Sequence, residues 1–308
     1  MQIPDIVKYT KLSSAGNDFI CLDNTSHEFT ALLDDQNSLG QFAAFLCRRG
    51  IAVGADGVIL ACSVEEGSDD TVIARFIEPD GSEAKLCGNG TACFTYWVVS
   101  KGLVAGPDVQ IVTRAGVAYG RVEEDDPQEI RVCVPDPKNL QKDITIEANG
   151  QSLTMDTVDT GVPHAVIPVA DVDSVDVGRL GAAIRHHPEF APKGINANFV
   201  QILGPGHIAV RTFEFGVESE TLACGTGSAA AAIITCMRHH WDQGICTVDK
   251  PVEVLTRSGE TLRIYFNHCD GGPITDVCLE TRVRPVYDAT LRPELIQEIH
   301  HRAQLSDS

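Results

Sequence analysis

Two segments of the chain repeat one another in a way that could do chemistry. Residues 82–92 read Ser-Glu-Ala-Lys-Leu-Cys-Gly-Asn-Gly-Thr-Ala, and residues 219–229 read Ser-Glu-Thr-Leu-Ala-Cys-Gly-Thr-Gly-Ser-Ala. Six of the eleven positions agree at an offset of 137, close to half of the 308-residue chain. One such segment alone is an ordinary glycine-rich turn into a helix. Two matched copies half a chain apart point to an internal duplication in which each half supplies one reactive cysteine, Cys87 and Cys224.

In both copies the glycines lead into a run of small residues that reads as a helix, so each cysteine falls at a helix N-terminus. The unpaired amides and the positive end of the helix dipole favour an anion there. One candidate anion is the sulfur itself, since a thiol with an ordinary pKa of about 8.5 can drop to roughly 3.5–7.5 in such a place. Another is a carboxylate, which glycine backbone can approach closely. If both halves grip one amino acid by its carboxylate, one sulfur as thiolate can take the α-proton while the other as thiol returns a proton to the opposite face. The centre is then inverted. An α-proton is a very weak acid, so the site must also exclude water and stabilise carbanion-like charge with fixed N–H dipoles. No cofactor is required by this scheme. The chain has no G-x-x-x-x-G-K-[ST] loop and no G-x-G-x-x-G, and no Schiff-base lysine stands out.

The elements that must hold these cysteines are of mixed α/β type. Apolar residues make up 43% and charged residues 22%, the balance of a folded protein that can build a core. Alternating and continuous apolar runs predict strands at 6–12, 18–23, 57–63, 71–77, 110–113 and 117–122, with helices at 39–48 and 90–101. The two-proline stretch 134–139 reads as a linker. Strands are then expected at 144–148, 151–159, 165–169, 198–203, 207–213, 251–255, 261–266 and 275–283, and helices at 177–186 and 227–237. This gives lobes at 1–134 and 135–282, followed by an extension at 283–308 whose segment 291–304 reads as an exposed amphipathic helix.

The net charge of −19 disfavours nucleic acid and anionic membranes as partners. The first residues lack a signal-peptide pattern and no apolar run is long enough to cross a bilayer, so a cytoplasmic protein is expected. Eleven cysteines, an odd number scattered through apolar stretches with no C-x-x-C spacing, argue against a disulfide framework and against a zinc site. Most are expected to be small buried hydrophobes.

Five segments, 14–19, 49–57, 80–90, 161–164 and 214–227, resemble diaminopimelate epimerases, cofactor-independent amino-acid epimerases, and the resemblance extends over about residues 6–280. It implies two similar lobes, each a curved mixed sheet round a central helix with the site in the cleft between them. It further implies Cys87 and Cys224 as the acid–base pair, no cofactor and no metal, a small amino-acid substrate, and a homodimer. By the same resemblance Asn17 and Asn196 contact substrate, the amides of Gly88, Asn89, Gly225 and Thr226 hold its carboxylate, and His164 and Glu214 sit beside the cysteines.

Three positions depart from that family, all where it grips the far end of diaminopimelate. Its Glu-Arg-Gly is here Glu214-Phe215-Gly216, its Asn-Pro-His is Val162-Pro163-His164, and its asparagine nine residues before the first cysteine is Glu78. A distal carboxylate would lose its charged partner, which costs about 2–5 kcal/mol when such a pair is buried. The expectation is a racemase for an amino acid with a neutral or cationic side chain, aromatic ones included. Histidine fits best: Phe215 can stack on an imidazole, Val162 can line its edge, and Glu78 or Glu214 can accept its N–H. Lysine, arginine and ornithine stay open, as does diaminopimelate itself. The rival classes are a cysteine redox or acyl-transfer protein, a silent binding module, and a proline-ring epimerase or double-bond isomerase of similar architecture.

Overall fold

The computed structural model describes residues 2–64, 69–241, 250–268 and 272–306. The chain forms two compact units, Met1–Arg131 with Arg282–Ser308, and Val132–Thr281.

The first unit opens with β1 (Lys8–Ser14) and β2 (Asn17–Asn24), an antiparallel pair joined by Ala15 and Gly16. Both turn residues have positive φ, 49° and 89°, which is the twist-matched geometry of a two-residue hairpin and places Asn17 at its mouth. After α1 (Thr30–Leu33), α2 (Gln36–Leu46) starts where the Asp35 carboxylate accepts from the Asn37 amide, and crosses to β3 (Gly57–Cys62), which lies parallel to β2. Then follow β4 (Thr71–Ile77), antiparallel to β3, the short β5 (Glu83–Ala84) and α3 (Gly88–Ser100). The second crossover leads to β6 (Asp108–Thr113), parallel to β4, with β7 (Gly116–Val122) and β8 (Glu129–Cys133) after it. Helix α3 touches β1, β2, β3 and β7. It is apolar nearly all round, with Ala92, Phe94, Trp97 and Val98 buried, which is the mark of a helix enclosed by its sheet rather than laid upon it. The enclosure is close: a Cβ on Gly120 of β7 would lie 2.0 Å from the Thr95 hydroxyl.

The second unit repeats this succession. It runs through β9 (Lys138–Ala148), β10 (Gln151–Asp159), β11 (Pro163–Pro168), α4 (Val177–Arg185), β12 (Asn196–Gly204), β13 (His207–Glu214), β14 (Ser219–Thr221), α5 (Gly225–His239), β15 (Val252–Leu255) and β16 (Thr261–His268). Again there are two parallel crossovers, β11 to β12 through α4 and β13 to β15 through α5. Helix α5 touches β10, β11, β12, β13, β15 and β16, and its run Ala229–Ile234 is buried throughout. The fold class is therefore α/β in two lobes of like topology, each a mixed sheet round one central helix. No helix among the described residues is long and apolar enough to cross a membrane.

Two expectations need correction. The last strand, β17 (Ile274–Thr290), pairs with β16 through residues 274–280 in the second unit and with β1 through residues 283–290 in the first. Helix α6 (Pro293–Ser306) follows, and Leu291, Ile296 and Ile299 are buried against Val7, Phe42, Phe45 and Leu46. Residues 283–306 thus belong to the first unit, whose sheet and core they complete, and are not an exposed extension. Amphipathic spacing alone could not tell a solvated helix from one whose apolar stripe closes a core. The second correction concerns the cysteines. Cys133 and Cys278, 145 residues apart, form a disulfide inside the second unit. Short-range spacing cannot reveal a bond between residues so far apart in sequence. Cys21, Cys47 and Cys93 are buried thiols, as expected; Cys246 and Cys269 lie outside the described residues.

Candidate active site

Cys87 and Cys224 occupy the same structural position in their units. Each is the N-cap of the central helix in extended conformation, with φ −135° and ψ 119° for Cys87 and φ −126° and ψ 112° for Cys224. Their carbonyls accept the first intrahelical bonds, from Thr91 at 2.7 Å and from Ser228 at 2.8 Å. The amides of Gly88, Asn89 and Gly90, and of Gly225, Thr226 and Gly227, form the first turns, where the helix itself offers no acceptor and the dipole is positive. Both cysteines are thiols outside any disulfide; Cys87 is half-buried and Cys224 is 7% exposed.

The second glycine of each motif makes room for the cysteine and its neighbours. A Cβ on Gly90 would lie 3.2 Å from the Phe76 ring and 3.3 Å from Cβ of Cys87. A Cβ on Gly227 would lie 2.4 Å from Oδ1 of Asn198 and 3.3 Å from Sγ of Cys224. In each half, glycine is what lets a cysteine side chain pack beside the first helical turn.

In the first unit Asn89 gives Nδ2–H to Oδ1 of Asn17 at 2.7 Å, and Asn17 gives Nδ2–H to Asp56 at 3.2 Å. The Asp56 carboxylate also accepts from the Asp18 amide and from Arg49. Burial alone would raise the Asp18 carboxyl, but hydrogen bonds from Arg49 and Lys11 outweigh it and hold its pKa at about 2. Asn17 and Asn89 are therefore tied side chain to side chain. Glu78 is half-buried in the turn after β4, where its amide donates to Ser82 O at 2.8 Å and its carbonyl accepts from Gly81 at 2.9 Å. That turn is pressed onto α2, since a Cβ on Gly81 would come within 2.8 Å of the Gly40 carbonyl oxygen.

In the second unit His164 on β11 is fully buried, and Nε2 lies 3.0 Å from the Thr226 hydroxyl, itself 3.6 Å from Sγ of Cys224. Burial pushes the His164 pKa down to about 3, so the imidazole is neutral. The pKa of Glu214, at the end of β13, is pushed up by burial, which the neighbouring Thr221 and Cys224 only partly offset. His164 and Glu214 thus both belong to the surroundings of Cys224, one through a hydroxyl and one directly.

Asn196 joins two segments: Nδ2 donates to Pro163 O at 3.0 Å and Oδ1 accepts from the Phe215 amide at 2.7 Å. The Phe215 ring is 48% exposed and Val162 38%, so both are accessible within this unit. Arg185, from α4, lies over the Phe215 ring and gives its own donors to Glu218 at 3.1 Å and to Lys193 O at 3.0 Å.

Asn198 was not among the residues singled out from sequence, yet it contacts His164 at 3.1 Å and accepts from Thr212 at 3.0 Å. The available signal was its place two residues after Asn196 on an otherwise apolar strand, hence on the same face. Among the described residues no group of three or more His, Cys, Asp or Glu side chains could hold a metal ion.

Comparisons with known proteins bear on the family and the fold. The profile of the diaminopimelate epimerase family matches residues 9–137 and 157–268. A diaminopimelate epimerase from Aquifex aeolicus is 38% identical over 292 residues, covering 94% of this chain and all of that protein. One from a Hydrogenobaculum species is 38% identical, covering 93% of this chain and 99% of its own length. Among solved structures, a probable proline racemase from Agrobacterium radiobacter superposes with a TM-score of 0.66 at 16% identity, over 93% of each chain. A Bacillus anthracis phenazine biosynthesis protein of the PhzF family does so with a TM-score of 0.67 at 15% identity, covering 95% of this chain and all of that one. These last two likenesses concern the fold. A match across most of both halves, together with relatives identical at more than a third of positions over nearly their whole length, places this chain in the diaminopimelate epimerase family, and it is an isomerase of the racemase and epimerase class.

Proposed function

We propose that this protein inverts the α-carbon of an amino acid through Cys87 and Cys224 as a thiolate–thiol pair, and that its substrate lacks a distal carboxylate. The observation that carries the first part is the equivalence of the two cysteines, each the N-cap of a central helix behind an uncapped first turn. A thiolate at one such position takes the α-proton and becomes a thiol. The electron pair left on carbon is stabilised by delocalisation into the carboxylate, whose oxygens accept from first-turn amides. The opposite thiol gives its proton to the other face and becomes the thiolate, so turnover leaves the pair ready for the reverse direction.

The second part rests on what stands at the three departing positions. Phe215 offers an exposed ring, Val162 an exposed apolar side chain, and Glu78 a carboxylate. The nearby cation, Arg185, is spent on Glu218 and the Lys193 carbonyl. A distal carboxylate finds no charged partner in that set, whereas an imidazole finds a ring to stack on and an acceptor for its N–H. Histidine is the preferred reading, with lysine, arginine and ornithine next. Epimerisation of diaminopimelate is a second reading, supported by the names of the relatives at 38% identity.

The test is incubation with L-histidine, the basic amino acids and diaminopimelate in deuterated water, followed by mass spectrometry and chiral chromatography. Deuterium at Cα of histidine, with appearance of the D-enantiomer, is the expected result. Deuterium in diaminopimelate alone overturns the substrate reading and leaves the two-thiol mechanism standing. Exchange in none of them overturns both.

A further inference from the structure

The hydrogen bonds behind Cys224 can run in one direction only. Asn198 donates Nδ2–H to the Ala165 carbonyl at 2.9 Å, and a carbonyl can only accept, which fixes which end of the amide is nitrogen. Thr212 agrees, because its hydroxyl donates to the other end, Oδ1, at 3.0 Å. The remaining Nδ2–H therefore faces Nδ1 of His164 at 3.1 Å and makes that nitrogen the acceptor. A neutral imidazole has one proton, and it must sit on Nε2, 3.0 Å from the Thr226 hydroxyl oxygen. That oxygen accepts from the ring and keeps its own proton to give. Sγ of Cys224 lies 3.6 Å away.

We propose that Thr226 is a positioning residue whose hydroxyl proton is aimed at Cys224 by the chain from Asn198 through His164, holding Cys224 as the thiolate member of the pair; the inference rests on the acid–base role given to Cys224 above. A hydroxyl donor stabilises a thiolate far more than a neutral thiol, and the first-turn amides of α5 act in the same sense. Glu214, from β13, acts in the opposite sense, because a carboxylate beside the sulfur favours the thiol form. The titratable groups facing this sulfur within its unit are thus Glu214 directly and His164 through Thr226, and the ring stays neutral across the working range. The corresponding residue of the first unit behaves differently. Asn89, two positions after Cys87, turns its Nδ2–H to Asn17. The duplicated motif has diverged at its variable position, so that one copy directs a hydroxyl at its own cysteine and the other an amide at a neighbouring strand.

The test reads the thiolate without substrate. Ultraviolet thiolate absorbance is followed against pH as the difference between each protein and its Cys224→Ser counterpart, in wild type, Thr226→Val and Thr226→Ser. The valine variant keeps the shape and deletes the hydroxyl; its Cys224 midpoint should rise by about one unit, which slows alkylation by about tenfold at pH values below both midpoints. The serine variant should return to the wild-type midpoint, and the acid limb of kcat/KM should move in parallel. Thr226→Ala makes the same deletion should valine not fold. An unmoved midpoint in the deletion variants, or a serine shift as large as the valine one, overturns the relay. Loss of racemisation in Cys224→Ser is scored separately and tests the acid–base role itself.

Discussion

The guanidinium of Arg185 lies 4.2 Å from the centre of the Phe215 ring, so one face of that ring is taken by a cation from α4 and only the other is open to a ligand. The cation is itself held by Glu218. Phe215 therefore occupies the family's arginine position while standing on a different arginine that is already paired. Reversing the three departures, with Phe215→Arg, Val162→Asn and Glu78→Asn together, should raise kcat/KM for diaminopimelate and lower that for histidine. Phe215 and Val162 are partly exposed, so a new charged partner there is worth about 1 kcal/mol and the ratio of the two should move by about tenfold or more with the three changes together. Steady-state kinetics on both substrates check this, and an unchanged ratio would remove these positions from the specificity account.

Each cysteine should serve one face of the α-carbon. Cys87→Ser and Cys224→Ser should each abolish racemisation, because inversion needs both groups. Elimination of a β-halide needs a single base, so each variant should still release halide from one enantiomer of a β-halogenated substrate analogue, and the two variants should prefer opposite enantiomers. Halide release from both enantiomers by one variant would contradict the assignment of one sulfur to each face.

Burial of His164 ties stability to pH in a definite direction. Its pKa falls from the ordinary 6.5 to about 3 on folding, so on acidification the unfolded chain takes up the proton first. The stabilisation is complete above pH 6.5 and is lost progressively as pH falls toward 3. One such group steepens the dependence by at most about 1.4 kcal/mol per pH unit. Urea unfolding of wild type and His164→Gln between pH 7 and pH 4 should show a shallower loss in the variant. Parallel lines would show that His164 carries no such linkage.

The close contacts at two glycines predict unequal effects on activity and stability. Gly120→Ala would drive a methyl group to 2.0 Å from the Thr95 hydroxyl, two turns along α3 from Cys87, and should lower stability by about 1–3 kcal/mol with a smaller effect on kcat than a change beside a cysteine. Gly227→Ala would meet Asn198 at 2.4 Å and Cys224 at 3.3 Å, and should lower stability and kcat together. Denaturation curves beside kinetics separate the two cases.

Much of this arrangement was legible in the residues. Both central helices follow from the runs of small and apolar residues after the glycines, and the N-cap position of each cysteine follows from Cys-Gly-x-Gly before them, whereas which strands pair in parallel was not legible. Strand edges were less so: β12 begins at Asn196 and not at 198, because Asn196 pairs with His164 although neither is apolar. Strand β8 escaped notice, since Glu129–Cys133 is short and draws its partner from residues about 150 positions later. The His164–Thr226–Asn198 cluster was only partly visible. Its members come from three elements, and periodicity says which side of an element a residue faces but not which residue of another element it meets.

Strand β17 has a consequence for how the protein is made. Strand β1, which leaves the ribosome before any of the second unit, waits for residues 283–290 as an edge partner, and the core round Phe42 and Leu46 waits for Leu291, Ile296 and Ile299. The unit begun first is thus finished last, after synthesis has passed through the whole of the other. Until then its nascent form has an open sheet edge and an unfilled apolar hollow, so translation arrested near residue 280 should leave the second unit nearly ready to fold and the first dependent on chaperones.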